Sequence, residues 1–150
     1  MKYILALDQG TTSSRAVLFD ERGRQVASHS IEFRQIYPKP GWVEHDPADI
    51  LRSQVDSLKL AVERSGVHIK DIAAVGVTNQ RETTLLWERA TGKPLCNAIV
   101  WQCRRTAPLV ERLKKDGLGN ALRDRTGLIP DAYFSGTKLQ WMLDTIPDAR

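Results

Sequence analysis

The chain has 150 residues, of which 41% are hydrophobic and 27% charged, a composition typical of one soluble globular domain that buries a core. Its first apolar run, residues 3–7, is too short for a signal peptide, and no stretch approaches the length of a membrane span. We therefore expect a cytoplasmic protein. Cys96 and Cys103 have no histidine nearby, which excludes a metal-ligand pattern and favours two reduced, structural cysteines.

The formal net charge of +4 comes from residues 101–125, where seven basic residues stand among three acidic ones. Within that segment Leu109, Val110 and Leu113 recur at helical spacing. A nucleic-acid surface would carry aromatic residues between the basic ones or place them on a reading helix. We interpret the excess charge as the solvated face of a helix, so no nucleic-acid partner is expected.

Three strands joined by tight turns are predicted for the start of the chain, at residues 3–7, 15–19 and 25–31. The second connection ends on Gly23, as hairpins commonly do. The first connection is a polar turn at residues 8–14. A loop rich in proline and glycine follows at residues 37–42 and excludes helix there.

A helix is then predicted with Asp46 as its N-cap, Pro47 at its first position and Gly66 at its end. Four apolar residues recur along it at helical spacing: Leu51, Val55, Leu58 and Val62.

A β-rich apolar run at residues 72–78 predicts a buried strand that ends at four polar residues, 79–82. The elements predicted after it are strands at 83–87 and 95–101, joined by a turn at 89–92, and helices near 106–115, 120–125 and 135–143. An antiparallel meander followed by a helix and more strands predicts a mixed α/β fold with a partly antiparallel sheet. The doubly wound dinucleotide-binding pattern is excluded, because no G-x-G-x-x-G follows a strand.

The turn between the first two strands has the residues of an anion site. Gly10 allows the backbone to fold tightly with its amides exposed. Arg15 can neutralise a phosphate, and a carboxylate such as Asp8 at the end of a buried strand is costly unless it serves a cation such as Mg²⁺. Three hydroxyl residues complete the turn: Thr11, Thr12 and Ser13. From these residues alone, a hairpin whose polar groups only satisfy the backbone is an equally good interpretation.

Two further groups of residues suit a small polyol. Arg81 and Glu82 follow an apolar strand and offer donors beside a strong acceptor. Trp101 and Tyr133 can cover the carbon face of a polyol, and the phenol can bind a hydroxyl. On composition alone the first pair is more commonly a surface loop with a weak salt bridge, and the aromatics are more commonly core residues.

Several motifs in order resemble the FGGY family of carbohydrate kinases, which have the actin, Hsp70 and hexokinase (ribonuclease H-like) ATPase fold. The phosphate motif is LDQGTTSSR at residues 7–15. Motifs that resemble the glycerol-phosphorylating members are YPKPGWVEHDP at 37–47, TNQRET at 78–83, AIVWQCRRT at 98–106 and FSGTK at 134–138. The resemblance implies a mixed sheet with flanking helices, incomplete here, in a kinase that uses ATP and Mg²⁺ to make sn-glycerol 3-phosphate.

The resemblance also implies a role for each candidate residue. Asp8 would hold Mg²⁺ through water, and Arg15 would pair with phosphate charge. Trp101 would pack against the glycerol carbons. The β- and γ-phosphates would be cradled by Thr11, Thr12 and Ser13, with Thr11 also near the transferred group. The glycerol hydroxyls would be bound by Arg81, Glu82 and Tyr133.

Kinases of this family are far longer than 150 residues. We therefore expect the chain to be the N-terminal portion of the first kinase domain, a single domain that lacks the C-terminal one. The resemblance places the general base beyond Arg150, so no catalytic residue is assigned here and the chain alone is expected to be inactive. Two rivals stay open: another FGGY kinase acting on a sugar such as a pentulose, and a non-catalytic binding or assembly module. The sequence leaves a homo-oligomer of the complete enzyme open.

Overall fold

A computed structural model describes residues 1–147 and 149 of the chain. The strands, in chain order, are β1 (Tyr3–Gln9), β2 (Ser13–Asp20), β3 (Gln25–Glu32), β4 (Glu44–His45), β5 (Ile72–Thr78) and β6 (Ala98–Ile99). The helices are α1 (Pro47–Ser65), α2 (Ala107–Lys115), α3 (Leu118–Thr126) and α4 (Ser135–Thr145). Within residues 1–147 and 149, no helix combines the length and the apolar character that crossing a membrane requires.

The chain divides into two compact units. The first unit contains Met1–Gln35 and Asp46–Gln80, and the second contains Ile36–His45 and Arg81–Arg150.

The first unit is built on a four-stranded sheet in the order β3-β2-β1-β5. The β1–β2 and β2–β3 pairs are antiparallel, whereas β1 and β5 are parallel. This confirms the predicted meander and the mixed sheet. The core lies between the sheet and α1, where Leu5, Ala16, Leu18 and Ala61 are buried together.

Both predicted ends of α1 are confirmed. The Asp46 carboxylate accepts a hydrogen bond from the Ala48 amide at 2.8 Å, which satisfies one of the amides left unpaired in the first turn. At the other end Gly66 has a φ of 66°, a left-handed conformation that glycine adopts without strain, and its amide donates to the Glu63 carbonyl.

We expect Asp46→Ala to lower the free energy of unfolding by about 1 kcal/mol, because the amide at Ala48 loses its acceptor. Urea denaturation of the variant against the parent measures the change. Asp46→Asn is the control, since its amide oxygen still accepts the hydrogen bond; equal losses in both variants would contradict the capping role.

The face of α1 that packs on the sheet differs from the apolar face that the sequence indicates. Its buried residues are small: Ser53, Ser57 and Ala61. Leu51 is 67% exposed and Val55 is also exposed, while Leu58 and Val62 pack only at the margin of the core. The reason is close approach, because small side chains bring the helix near enough for Ser53 Oγ to lie 2.7 Å from Ser14 Oγ of β2.

The prediction that residues 72–78 form a strand is confirmed, but the prediction that the strand is buried is wrong. From residue 73 onward every residue of β5 is exposed, and Val77 retains 74% of its accessible surface. Among the described residues β5 is the last strand of this sheet and pairs with β1 alone, and α1 packs mainly on the other three strands, so the helix leaves the side chains of β5 largely uncovered. An apolar sequence does not distinguish an edge strand from a central one.

The second unit has little regular strand. The predicted strands at 83–87 and 95–101 reduce to β6, which pairs with β4, and to isolated bridges at Thr84–Ile99 and Trp87–Pro94. The turn between them is confirmed, with Gly92 at a φ of 72°. The three predicted helices are confirmed as α2, α3 and α4.

The second unit is held together by a buried arginine as well as by apolar packing. The Arg105 side chain is 2% exposed and bonds to Glu44 at 2.6 Å. Its guanidinium carbon lies 3.9 Å from the ring centroid of Trp42 and 4.8 Å from that of Trp141. Arginine suits this site because its planar, weakly hydrated head stacks on indole while pairing with a carboxylate.

Candidate functional site

The polar turn between β1 and β2 is closed by a hydrogen bond from the Gly10 amide to the Ser13 carbonyl at 3.0 Å. A Cβ added at Gly10 would lie 2.9 Å from the same carbonyl oxygen, closer than real Cβ contacts. Glycine is therefore required here for space. The tight closure holds Thr11 and Thr12 at the tip of the turn, where an anion site needs its donors.

Neighbouring elements of the first unit support the turn. The Phe33 amide donates to the Thr12 carbonyl at 3.3 Å, and Gln35 Nε2 donates to the Thr11 carbonyl at 3.2 Å. Buried Ser14 bonds to Gln9 Oε1 at 2.9 Å in addition to its contact with α1. Because these bonds use carbonyls and a buried hydroxyl, they fix the turn without using the Thr12 or Ser13 side chains.

Asp8 and Arg15 are partners across the β1–β2 ladder, so their side chains lie on the same face of the sheet. Both residues are exposed. The expectation that Asp8 sits in a buried position is therefore wrong, because β1 is fully buried only at Leu5. The cost of burying a carboxylate thus gives no reason to expect a cation at Asp8.

In the second unit Glu82 has a backbone φ of 66°. Among the described residues it is the non-glycine residue with a positive φ. Such backbone is uncommon for residues with a Cβ and is found preferentially at functional sites. The Glu82 carboxylate oxygen Oε2 accepts from the amide and the hydroxyl of Ser135, at 2.7 and 2.6 Å. Ser135 is the first residue of α4, and the start of a helix stabilises a negative charge.

The two candidate aromatics of the second unit are in contact. The rings of Trp101 and Tyr133 meet edge to face with centroids 5.7 Å apart, and the ring of Phe134 meets Tyr133 at 5.0 Å. Trp101 and Tyr133 are each partly exposed. The pair thus offers an aromatic surface and a phenol in one place.

An ion pair fixes the backbone just before Tyr133. Arg104 donates to both carboxylate oxygens of Asp131, at 2.6 and 3.2 Å, and this hydrogen bonding holds the pKa of Asp131 below its ordinary value. Asp131 Oδ1 also accepts from the Tyr133 amide at 2.7 Å. The Asp131 carboxylate thus links Arg104 to the backbone at Tyr133.

The structure brings together three of the four residues predicted to bind glycerol: Glu82, Trp101 and Tyr133. Arg81 is the chain neighbour of Glu82 but is exposed, and no hydrogen bond or ion pair among the described residues involves its guanidinium. The four phosphate candidates are close in sequence in the first unit: Thr11 and Thr12 lie in the turn, and Ser13 and Arg15 lie at the start of β2.

Sequence reasoning missed two residues of the second unit that contact Glu82. Ser135 binds its carboxylate, and Lys138 is fully buried with its ammonium on the Glu82 carbonyl. A signal for Lys138 was present, because it is four residues before Met142 on α4 and therefore occupies a position expected to be apolar. Among the residues that the structure describes, no three His, Cys, Asp or Glu side chains form a group able to hold a metal.

Comparison with known proteins decides the family. The model of the N-terminal domain of the FGGY family of carbohydrate kinases matches residues 3–150. The chain belongs to this family. It is 60% identical to glycerol kinase 2 of Thermotoga maritima over 150 residues. The match covers the whole of this chain but only 30% of the length of that relative.

Solved structures support the same conclusion. The crystal structure of Plasmodium falciparum glycerol kinase with ADP matches with a TM-score of 0.91 at 35% identity, over 99% of this chain and 30% of that one. Ligand-bound xylulose kinase from Lactobacillus acidophilus matches with a TM-score of 0.85 at 28% identity, over 97% of this chain and 29% of that one. These neighbours confirm the predicted actin- and hexokinase-like ATPase fold.

Proposed function

We propose that the chain is the N-terminal portion of the first domain of a cytoplasmic glycerol kinase, which transfers the γ-phosphate of ATP to glycerol and releases sn-glycerol 3-phosphate and ADP. The observation that carries the proposal is the Glu82 carboxylate, held in left-handed backbone at the start of α4 in the unit that contains the Trp101–Tyr133 pair. A small polyol needs a strong acceptor for its hydroxyls and an apolar surface for its carbons.

In this proposal Glu82 accepts hydrogen bonds from glycerol hydroxyls through Oε1, since Ser135 occupies Oε2. The Tyr133 phenol binds a further hydroxyl, and the Trp101 ring packs against the carbon chain. Arg81, exposed beside Glu82, contributes donors after its side chain turns toward the ligand.

ATP is assigned to the turn of the first unit. The hydroxyls and amides of Thr11, Thr12 and Ser13 receive the β- and γ-phosphates, with Thr11 also near the phosphate of the product, and exposed Arg15 pairs with their charge. Phosphoryl transfer depends mainly on such positioning and charge stabilisation. We assign no general base to this chain.

Asp8 fits a role in holding Mg²⁺ with the nucleotide. Mg²⁺ in kinases is commonly bound through one or two carboxylates, water and phosphate oxygens, and Asp8 is an exposed carboxylate beside the turn. When bound, Mg²⁺ neutralises phosphate charge. Asp8 would hold it through water, and the turn would fix the phosphate oxygens that complete its shell.

The rival substrate is a sugar, because xylulose and gluconate kinases have the same fold with TM-scores of 0.85 and 0.87. Fold therefore does not discriminate between these substrates. Sequence does favour glycerol, since identity is 60% to a glycerol kinase but 28% and 27% to those two enzymes.

A phosphorylation panel on the full-length protein tests the proposal. With MgATP, we expect kcat/KM for glycerol to exceed that for xylulose and gluconate by at least about a hundredfold, because unpaired polar groups penalise the wrong ligand. Trp101→Ala should lower glycerol turnover, whereas Trp87→Ala, which removes an exposed tryptophan of the same unit, should not. Preference for a sugar would contradict the assignment.

A further inference from the structure

Lys138 is a charged side chain with no exposed surface, buried in the second unit. Its ammonium donates to three backbone carbonyls: Glu82 at 3.1 Å, Phe134 at 3.5 Å, and Tyr133. An ammonium has three N–H donors, so these carbonyls account for all of them. Burying a charged ammonium is costly unless hydrogen bonds compensate for the lost water, and the three carbonyls provide that compensation.

The three carbonyls belong to two segments of the chain that are far apart in sequence, Glu82 on one and the neighbouring residues Tyr133 and Phe134 on the other. Both segments carry residues that the proposed function assigns to glycerol, Glu82 on one and Tyr133 on the other. The ammonium therefore joins the backbone of the carboxylate to the backbone of the phenol. At Glu82 it also bonds the carbonyl of the residue whose φ is 66°, a conformation that needs support from its surroundings.

We propose that Lys138 is a positioning residue for the polyol site, which sets the spacing of Glu82 and Tyr133 through their backbone carbonyls without touching the substrate. The inference rests on the proposed function, because it concerns the binding of glycerol. Ser135 fixes the Glu82 carboxylate from the first turn of α4, and Lys138 fixes its backbone from the second turn of the same helix. One helix thus holds both ends of Glu82.

The groups around Lys138 determine how its charge responds to pH. Burial lowers its pKa from 10.5 to about 8, although Glu82, Cys103 and Asp131 oppose the shift; Arg104 adds to it. Above about pH 8 the amine keeps two N–H donors for three carbonyls, and its lone pair faces the third. The link between the two segments should then weaken.

The contribution of Lys138 to the free energy of unfolding should rise with pH over the range in which the link between the two segments weakens. Between about pH 8 and 10.5 an unfolded chain retains the proton that folded Lys138 has released, so this group makes the folded state more stable as the pH rises. A fall in glycerol affinity over this range, without a fall in stability from the same group, would therefore reflect positioning.

The experiment compares Lys138→Met with the parent in the full-length protein. Methionine resembles the lysine side chain as far as Cε, so it keeps the apolar stem but lacks the ammonium and its donors. We expect KM for glycerol to rise at least about tenfold while KM for ATP changes less than about twofold, because only the polyol residues lose their spacing. Lys115→Met, which changes an exposed lysine of α2, is the matched control and should leave both constants unchanged.

The pH profile provides a second measurement that needs no folded variant. In the parent, KM for glycerol should rise about threefold to tenfold from pH 7 to 9.5, as expected for the loss of one hydrogen bond, with the melting temperature followed in parallel. In Lys138→Met this dependence should be absent. Because the profile uses the parent, it decides the question even if the variant does not fold.

The outcomes separate the two proposals. If the parent does not phosphorylate glycerol, the proposed function and this inference both fail. If the parent does so but its KM for glycerol is independent of pH, or Lys138→Met leaves that KM unchanged, the inference alone is overturned. Equal loss of glycerol and ATP affinity in the variant would show a general structural role and would also overturn it.

Discussion

Replacing Glu82 by alanine in the full-length protein should lower kcat/KM for glycerol at least about tenfold while KM for ATP changes less than about twofold. A charge-assisted hydrogen bond contributes about 1.5–3 kcal/mol, and losing one from the transition state corresponds to this change or more. Steady-state kinetics with each substrate varied in turn measures it.

The Glu82→Ala substitution does not change the backbone strain at position 82, so strain does not contribute to the expected loss of kcat/KM. Glu82 has a φ of 66°, and alanine meets the same left-handed strain because both residues have a Cβ. The Glu82→Ala variant therefore differs from the parent in the carboxylate alone, together with the two hydrogen bonds that the carboxylate accepts from Ser135.

Two control variants separate ligand binding from the structural role of Glu82 at α4. Glu82→Gln retains an oxygen that can accept from Ser135 but loses the charge, so it should keep the stability of the parent and lose part of its glycerol affinity. Ser135→Ala removes one bond to Oε2 and should affect stability more than glycerol turnover. If Glu82→Gln behaves as the parent toward glycerol, Glu82 serves only α4, and the polyol site is wrong.

Much of the fold could be predicted because its signals are local. The Asp46 N-cap, Pro47 and the left-handed Gly66 define α1 almost to the residue. The turn at Gly23, where φ is 72°, likewise joins two strands at the predicted place. Caps and tight turns are decided by a few neighbouring side chains, which a single sequence displays directly.

What the sequence does not display is which surface an element buries. The exposed position of β5 depends on strand order, and the small-residue face of α1 depends on how near the sheet lies. Both are tertiary properties that can override local patterns. The contacts of Lys138 are of the same kind, since its three carbonyls come from segments that only the fold brings together.

The candidate residues differ in how well local chemistry indicated them. The closed turn at Gly10 is a short-range feature, and the alternative of a plain hairpin stayed open because both need the same hydrogen bond. The contact of Trp101 with Tyr133 spans separate segments, and sequence patterns alone favoured core packing for both. For Trp101 and Tyr133 the family resemblance, and not the sequence spacing, indicated a role in binding glycerol. Their binding roles stay predictions.

Replacing Gly10 by alanine should lower kcat/KM for ATP at least about a hundredfold, the loss expected when catalytic groups move by about 1 Å. The added Cβ would lie 2.9 Å from the Ser13 carbonyl oxygen, so the backbone of the turn must shift. That shift moves Thr11 and Thr12, whose hydroxyls and amides are assigned to the phosphates. The polyol residues are in the second unit, so KM for glycerol should change far less.

Gly23→Ala is the matched control, because it imposes strain on the neighbouring turn of the same sheet without changing the candidate site. Gly23 has a φ of 72° with no atom near the added Cβ, so alanine costs about 1–2 kcal/mol of conformational energy and meets no clash. This variant should lose stability but keep the ATP kinetics of the parent. Thermal denaturation and ATP-dependent product formation, measured on both variants, separate the two effects. Normal ATP turnover in Gly10→Ala, or an equal loss in Gly23→Ala, would mean that the turn at Gly10 is an ordinary hairpin and that the nucleotide phosphates bind elsewhere.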